Sequence, residues 1–206
     1  TIIMVYHAVL AAVLAAKKMP PPPPPPTMEE VYGGVALVSC AWIFMAYIFM
    51  PMGPTAQMTG RSKGQCKWGD RCFMNLQEQA VLFFTSLWMH AVFVSAETAT
   101  NFGWLYIFFR ALYPIIWAVK GGESGPPFPQ LFLSTFTAYG VNVYLTLGVA
   151  LKIGSGINVE EMFMGHHAIG FLFVSFVFLM FCVGLTPVLH SNFYCKFFAE
   201  PPPKTA

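Results

Sequence analysis

Two short polar patterns stand out in a chain that is otherwise largely apolar. In the first, an arginine, an asparagine and a glutamate follow one another at i, i+4 and i+7, as Arg71, Asn75 and Glu78. In the second, similar spacing joins two tyrosines, an arginine and a tryptophan: Tyr106, Arg110, Tyr113 and Trp117. Helical residues at these spacings share one face, so each pattern predicts a polar stripe along a helix.

Both stripes contain charged residues that need compensation inside an apolar bundle. An unpaired charge at the centre of a membrane helix costs at least about 2.5 kcal/mol. Glu78 lies roughly 9 Å inside the start of its predicted helix, and Arg110 lies roughly 14 Å inside the end of its own. We therefore expect Arg110 to pair with Glu78. The bare pattern fits a ligand site and a set of polar residues that joins helices equally well.

The residue set itself resembles the MAPEG family, the membrane-associated proteins of eicosanoid and glutathione metabolism. The segment from Arg71 reads Arg-Cys-Phe-Met-Asn-Leu-Gln-Glu-Gln, and the segment from Tyr106 reads Tyr-Ile-Phe-Phe-Arg-Ala-Leu-Tyr. The family pattern is an arginine, then asparagine and glutamate on one helix, then tyrosine, arginine and tyrosine on the next. The resemblance covers residues 31–151 and is strongest between Arg71 and Trp117.

The resemblance implies a four-helix transmembrane protomer that assembles as a homotrimer, with glutathione bound between protomers. The residues at matching positions would hold glutathione or organise its pocket: Arg71, Asn75, Glu78, Tyr106, Arg110 and Tyr113. These side chains suit glutathione, which carries two carboxylates and an ammonium group. The implied activity is that of a glutathione transferase or peroxidase acting on a hydrophobic small molecule or lipid.

Several positions depart from the family pattern. In leukotriene-synthase relatives a second arginine lowers the pKa of the glutathione thiol, and here that position is occupied by Val119. Lys120 is the nearest cation and the candidate activator, although a lysine at a helix end is commonly interfacial. Trp117 stands where the family often has tyrosine, and Gln79 stands where an aromatic residue is common. These departures weaken the expectation of activity more than that of the fold.

Histidines suggest a different kind of site. His166 and His167 precede the last apolar run and His190 follows it, and neutral imidazoles near a membrane boundary can ligate the metal of haem or chlorophyll. No spacing motif supports such a pigment, and interfacial histidines need no ligand. His90 lies inside the second apolar run, where a buried, hydrogen-bonded histidine is the commoner situation. We predict no protein-bound metal ion.

The five cysteines do not indicate a disulfide framework, because their number is odd and the chain is long. Cys66 and Cys72 are close enough in sequence to pair across one loop. Two free loop thiols are the favoured interpretation, and the spacing lacks the second ligand pair of a zinc site.

The chain contains five apolar runs whose lengths are close to the roughly 20 residues of a helix that crosses a bilayer. They are residues 31–50, 73–96, 102–119, 131–151 and 167–189. We predict an all-α membrane protein, a four-helix transmembrane bundle with a fifth, C-terminal span. The fourth run contains polar residues that we expect to face other helices or bond to the backbone: Ser134, Thr135, Thr137, Asn142 and Thr146.

A short apolar segment and a proline run precede the first of these runs. Residues 1–16 are apolar but short, and Lys17, Lys18 and the proline run 20–26 follow. Proline runs form stiff spacers, so residues 1–30 are interpreted as a hydrophobic segment and linker, residues 31–151 as the bundle, and residues 152–206 as the added span and tail. A marginal span, an interfacial helix and a targeting remnant stay open for residues 1–16. The first residue, Thr1 rather than Met, suggests a processed or truncated product.

Composition agrees with the membrane class and excludes nucleic-acid binding. Of the 206 residues, 56% are hydrophobic and 10% are charged, against about 25% charged in soluble domains. The formal net charge is +2 and the basic residues form no long run, so nucleic acid has no electrostatic footprint.

Charge also supports alternating spans. If the five runs alternate, one side of the membrane receives most of the cations: Arg61, Lys63, Lys67, Arg71, Lys120, Lys196 and Lys204. The other side receives one of the cations together with a group of glutamates: Lys152, Glu29, Glu30, Glu97, Glu160 and Glu161. This segregation agrees with the positive-inside rule, which Lys17 and Lys18 fit poorly.

Two functions from different classes remain open on the sequence. One is a glutathione-dependent enzyme of the MAPEG type. The other is a non-catalytic subunit of a larger photosynthetic or respiratory membrane complex, favoured by the missing arginine and the added span. An organelle membrane is expected for either, with the thylakoid, the mitochondrial inner membrane and the endoplasmic reticulum as alternatives.

Overall fold

A computed structural model of the chain describes residues 24–121, 130–189 and 192. The segment 1–16, His190 and the C-terminal lysines lie outside these residues. The described part is helical and contains no strand. Its helices are α1 (Met28–Phe49), α2 (Met52–Met58), α3 (Lys63–Glu78), α4 (Ala80–Phe93), α5 (Ala96–Ile116), α6 (Phe132–Ser155), α7 (Val159–Met162) and α8 (His167–Leu189), with a π-helical turn at Trp117–Gly121 after α5.

Two compact units divide the chain between Val31 and Tyr32. The described part of the first unit holds the beginning of α1, which is capped by a reciprocal pair of hydrogen bonds. The Thr27 N–H donates to the Glu30 carboxylate at 2.7 Å, and the Glu30 N–H donates to the Thr27 hydroxyl at 3.2 Å. This capping box satisfies two backbone donors at the helix start.

Four described helical stretches are long and apolar enough to cross a membrane: Met28–Met58, Ala96–Gly121, Phe132–Ser155 and His167–Leu189. They overlap the first, third, fourth and fifth apolar runs. The prediction of an all-α membrane bundle with an added C-terminal span is therefore confirmed.

The expectation of an uninterrupted helix over the second run, residues 73–96, is wrong. The polar residues at 77–79 interrupt the run, and the helix is broken at Gln79, where α3 has ended and α4 has not begun. Gln79 is buried, and its side-chain carbonyl accepts a bond of 3.5 Å from Asn142 of α6. With 14 residues, α4 rises about 21 Å, less than the roughly 30 Å of a bilayer core. If the five runs alternate in direction across the bilayer, α3 and α4 must together form one of the membrane spans.

Helix α6 packs against α4, α5 and α8. Its fully buried residues, among them Val141 and Leu145, belong to the hydrophobic core. An aromatic cluster joins α5, α6 and α8, since the Phe102 ring lies 4.6 Å from that of Tyr144 and 5.3 Å from that of Phe171. The added C-terminal helix is thus attached to the bundle by tilted, packed aromatic rings.

Helix α1 contacts α4 and α5 through side chains. The Trp42 ring meets the Phe84 ring edge-on at 4.9 Å, and the Trp88 indole N–H donates to the Ser39 hydroxyl at 3.1 Å. Gly103 of α5 lies so close to α1 that an added Cβ would stand 2.7 Å from a methyl group of Val38. Large interlocking side chains and one small residue therefore set this helix contact.

The polar residues of α6 divide into two groups. Ser134 and Asn142 are buried, and the Ser134 hydroxyl donates to the Phe109 carbonyl of α5 at 2.6 Å. Thr137 donates to the Leu133 carbonyl of its own helix at 2.7 Å. These three behave as predicted. Thr146 is exposed, so the inward polar face does not reach that far along the helix.

The backbones of α2 and α3 approach each other closely at two glycines. A Cβ added at Gly69 would stand 2.5 Å from the backbone nitrogen of Gly53 and 2.6 Å from the carbonyl carbon of Met52. Backbone atoms cannot move aside as the end of a flexible side chain can. Gly69 is therefore the residue that allows the hairpin of α2 and α3 to close.

We expect Gly69→Ala to lower the free energy of unfolding by about 1–3 kcal/mol, because the added methyl forces the two backbones apart. Thermal unfolding of the detergent-solubilised protein measures the change. Gly154→Ala in α6 is the matched control, since its Cβ would meet no atom within 4 Å; it should change stability by no more than about 1 kcal/mol. Equal melting temperatures for the two variants would contradict this account of the hairpin.

Candidate functional site

The predicted polar stripes meet at one end of the bundle, where a pocket of about 280 Å³ opens between α3, the end of α5 and the start of α6. Its lining residues are Lys67, Arg71, Asn75, Tyr113, Trp117, Leu131, Phe132 and Thr135. Arg71, Asn75 and Tyr113 are three of the six residues predicted to form the site. The structure therefore brings the α3 stripe and the end of the α5 stripe to one cavity.

Arg110 lies behind this pocket and is buried, with 1% of its surface exposed. Its Nη1 donates to Oδ1 of Asn75 at 2.5 Å, which ties α5 to α3. Its Nε and Nη2 have no hydrogen-bond partner among the described residues. Asn75 is therefore important for stability. Without its acceptor oxygen the buried guanidinium would lose this hydrogen bond, and a buried charge without partners raises the free energy of the folded state.

Tyr106 is fully buried one helical turn before Arg110 and does not line the pocket. Its ring stacks on the Phe83 ring of α4, with centroids 3.9 Å apart and planes 17° from parallel. The centre of the Arg110 guanidinium lies 5.7 Å from the Tyr106 ring centroid, within the range of a cation–π contact. Tyr106 therefore supports Arg110 from inside the bundle.

The expected pair between Arg110 and Glu78 is wrong. Glu78 instead pairs with Arg71 of the same helix, at 2.8 Å and 3.4 Å between the two guanidinium nitrogens and the two carboxylate oxygens. Both side chains are nearly half exposed, at 47% and 46%. Helical geometry explains the difference: Asn75 lies about 40° to one side of Arg71 around the helix axis, and Glu78 lies about 20° to the other. Asn75 therefore faces α5, while Glu78 faces outward.

Neither Val119 nor the candidate activator Lys120 lines the pocket. Both are exposed on the π-helical turn, Val119 at 71%. The cation that does line the pocket beside Arg71 is Lys67, which the motif analysis missed. Its signal was present, because Lys67 precedes Arg71 by four residues and extends the same stripe by one turn.

The end of α5 is held beside α3 by a further contact. The Trp68 indole N–H donates to the Pro114 carbonyl at 3.1 Å. Tyr113 and Trp117, whose rings meet edge-on at 6.0 Å, are presented to the pocket from this end of the helix. The aromatic wall of the pocket is therefore fixed to the helix that carries Lys67 and Arg71.

The structure tests the prediction made for His90. His90 is buried and its Nδ1 lies 3.0 Å from the Leu145 carbonyl oxygen, so the prediction of a hydrogen-bonded core histidine is confirmed. Gly148 lies against the His90 ring, where an added Cβ would stand 2.7 Å from Cε1. His166 is exposed and His167 is partly buried. Across the described ranges, no three His, Cys, Asp or Glu side chains form a group suited to a metal ion.

Cys66 and Cys72 are both free thiols, as favoured from their spacing. They lie on α3, however, and not in a loop. The Cys66 thiol donates weakly to the Arg61 carbonyl, at 3.8 Å.

Comparison with known proteins decides the family. The model of the MAPEG family matches residues 1–151. The chain belongs to the MAPEG family. The matched range includes residues 1–30, which the two motifs alone did not reach, and excludes α7 and α8. No curated protein and no solved structure was found to match the chain.

Family membership and the apolar helices together make this MAPEG protein an integral membrane protein associated with the lipid bilayer. The pocket lies on the part of the chain that the family model covers. Helix α8 is an addition to the matched region.

The bond between Arg110 and Asn75 can be tested against the rejected pair with Glu78. Asn75→Leu removes the side-chain acceptor of a buried cation and should lower the free energy of unfolding by about 1.5–3 kcal/mol. Glu78→Gln alters an exposed ion pair and should cost no more than about 1 kcal/mol. Both values come from thermal unfolding in detergent. A larger loss for Glu78→Gln than for Asn75→Leu would reverse our assignment.

Proposed function

We propose that this MAPEG protein binds glutathione in the pocket between α3, α5 and α6 and transfers it to a hydrophobic electrophile. The observation that carries the proposal is the gathering of Lys67, Arg71, Asn75 and Tyr113 around one cavity. Two cations, an amide and a phenol are suitable partners for a ligand with two carboxylates. The lipid bilayer would deliver the hydrophobic co-substrate.

The exposed pair of Arg71 and Glu78 supports ligand exchange. Ion pairs at such exposure contribute little stability, about 0–1 kcal/mol. A glutathione carboxylate can therefore take the place of Glu78 on Arg71, and the glutathione ammonium can take the place of Arg71 on Glu78. The pair both holds the site in the free protein and matches the charges of the ligand.

Arg110 and Tyr106 act in this proposal as positioning residues. Arg110 donates a hydrogen bond to Oδ1 of Asn75 and so fixes the Asn75 side chain. The Tyr106 ring, which stacks on Phe83, contacts the Arg110 guanidinium. The amide nitrogen of Asn75 is thereby turned away from Arg110. The two deeper members of the predicted site thus shape the pocket without lining it.

The chemical step requires the thiolate of glutathione, since the thiolate and not the thiol is the nucleophile. Lys67 is the cation we assign to its stabilisation, with Arg71 beside it. The thiol proton passes to solvent, the sulfur forms a bond to the electrophilic carbon, and the leaving group departs with its electron pair. Lys120 would take part only if a neighbouring protomer brought it to the cavity.

The size of the pocket favours a shared site. Its 280 Å³ is just below the range of about 300–1,000 Å³ that is usual for small-molecule pockets. We infer that a neighbouring protomer completes the cavity, as in the homotrimer expected of the family.

A second candidate is a non-catalytic subunit of a larger organellar membrane complex. It is favoured by the exposed positions of Val119 and Lys120, which leave the family's activating position outside the pocket. The large exposed apolar residues along α8, such as Phe173 and Phe176, also offer surface for neighbouring subunits.

Glutathione affinity tests the binding site. Arg71→Gln should weaken binding about tenfold, which corresponds to the loss of one charge-assisted contact. Lys63→Gln is the matched control: it removes the same charge from the same helix but lies outside the pocket lining, and it should leave the dissociation constant unchanged. Calorimetric titration of the solubilised protein gives both values. Equal weakening by the two changes would mean that only general charge attraction is involved.

Turnover and native mass separate the two candidate functions. A homotrimer that conjugates glutathione to chlorodinitrobenzene, and loses this activity with Lys67→Met, supports the enzyme. Co-migration with a large complex as a single copy, without turnover, supports the structural subunit, because neighbours would occlude the trimer interface.

A further inference from the structure

A second pocket, of about 400 Å³, lies between α5 and α8. Its lining residues are Thr98, Asn101, Phe102, Leu105, His167, Ala168, Phe171 and Leu172. Leu105 and Tyr113, the closest members of the two pockets along α5, are separated by about 12 Å of helix. The second pocket is therefore a separate cavity, and half of it is supplied by a helix outside the family match.

The lining of this pocket changes from polar to apolar along the helices. Helix α5 begins at Ala96 and α8 begins at His167, and the polar residues Thr98, Asn101 and His167 lie in their first two turns. Phe102, Leu105, Phe171 and Leu172 follow deeper in each helix, with Leu105 about 14 Å from the start of α5. Both helices are long and apolar enough to span the bilayer. The pocket thus runs from the headgroup region into the hydrocarbon, in the direction of a bilayer lipid.

The polar end of this pocket contains a buried nitrogen that is available for a hydrogen bond. The Nδ1 atom of His167 is buried and has no hydrogen-bond partner within the described chain. Buried polar atoms are normally satisfied, so a ligand group at this position would gain a bond without displacing one.

Charge at this end of the bundle indicates the type of headgroup. Glu97 adjoins Thr98 on α5, and Glu160 and Glu161 lie on α7, directly before α8. Lys152 lies in the last turn of α6. Three carboxylates against one ammonium disfavour an anionic headgroup. A neutral headgroup with hydroxyl groups can bond to His167 without this repulsion.

We propose that the pocket binds one acyl chain of an uncharged, hydroxyl-bearing glycerolipid from the surrounding bilayer, with the headgroup at His167. The volume lies within the usual range of about 300–1,000 Å³ for small-molecule sites. The lipid fills the gap between α5 and α8 beside the contact of Phe102 with Phe171, and so joins the C-terminal helix to the bundle.

The test uses the full chain in nanodiscs that contain a diacylglycerol with a photoactivatable acyl chain. Crosslinks should map to residues 98–105 and 167–172 by mass spectrometry. Leu105→Trp fills the pocket and should reduce these crosslinks about tenfold. Leu37→Trp is the matched control, because Leu37 is exposed on α1 and lines neither pocket; it should leave the crosslinks unchanged.

Further measurements make each outcome decisive. A photoactivatable phosphatidylglycerol, which is anionic, should label the same residues about tenfold less. His167→Phe should lower labelling by the diacylglycerol probe, because the headgroup hydroxyl loses its partner, while the carboxylates still disfavour the anionic probe. Undiminished labelling of Leu105→Trp would overturn the pocket, and equal labelling by both probes would overturn the choice of headgroup. Leu105→Trp should retain the wild-type glutathione affinity, because Leu105 does not line the glutathione pocket, so failure here is distinct from failure of the glutathione site.

Discussion

The buried guanidinium of Arg110 is the constraint around which the rest of the bundle is arranged. A cation at 1% exposure in an apolar bundle must be compensated where it lies, and Asn75 and the Tyr106 ring supply the compensation. Because Asn75 is on α3, Tyr106 is on α5 and its stacking partner Phe83 is on α4, three helices are fixed by one charge. The pocket opens on the other side of Asn75, so its geometry follows from the same arrangement.

Much of the fold could be predicted because apolar length and helical spacing carry strong signals. The run 167–189 corresponds residue for residue to α8, and the other three candidate spans contain nearly all of their runs but extend up to eight residues beyond them. The break at Gln79 was missed because run length was counted across the polar residues 77–79. Its cause is tertiary, since the buried amide of Gln79 is bonded to Asn142 of a helix more than sixty residues away in sequence.

The site was predictable in its residues but not in its pairing. Spacing placed Arg71, Asn75 and Glu78 on one stripe, yet a stripe is wide, and the 60° or so between Asn75 and Glu78 decides which of them meets Arg110. That orientation depends on how α3 rests on α5, which Trp68 and Pro114 help to fix. Lys67 was missed for a simpler reason: the family motif begins at Arg71, and the stripe was not followed one turn further back.

The buried His90 ring limits which residues can occupy position 148 on the neighbouring helix. The His90 ring occupies the space that a side chain at Gly148 would need. The Leu145 carbonyl, one turn earlier on the same helix as Gly148, orients that ring. The two positions therefore form a single steric unit shared by α4 and α6. A relative with a larger residue in place of Gly148 should have a smaller one in place of His90, so the pair is expected to change together over evolution.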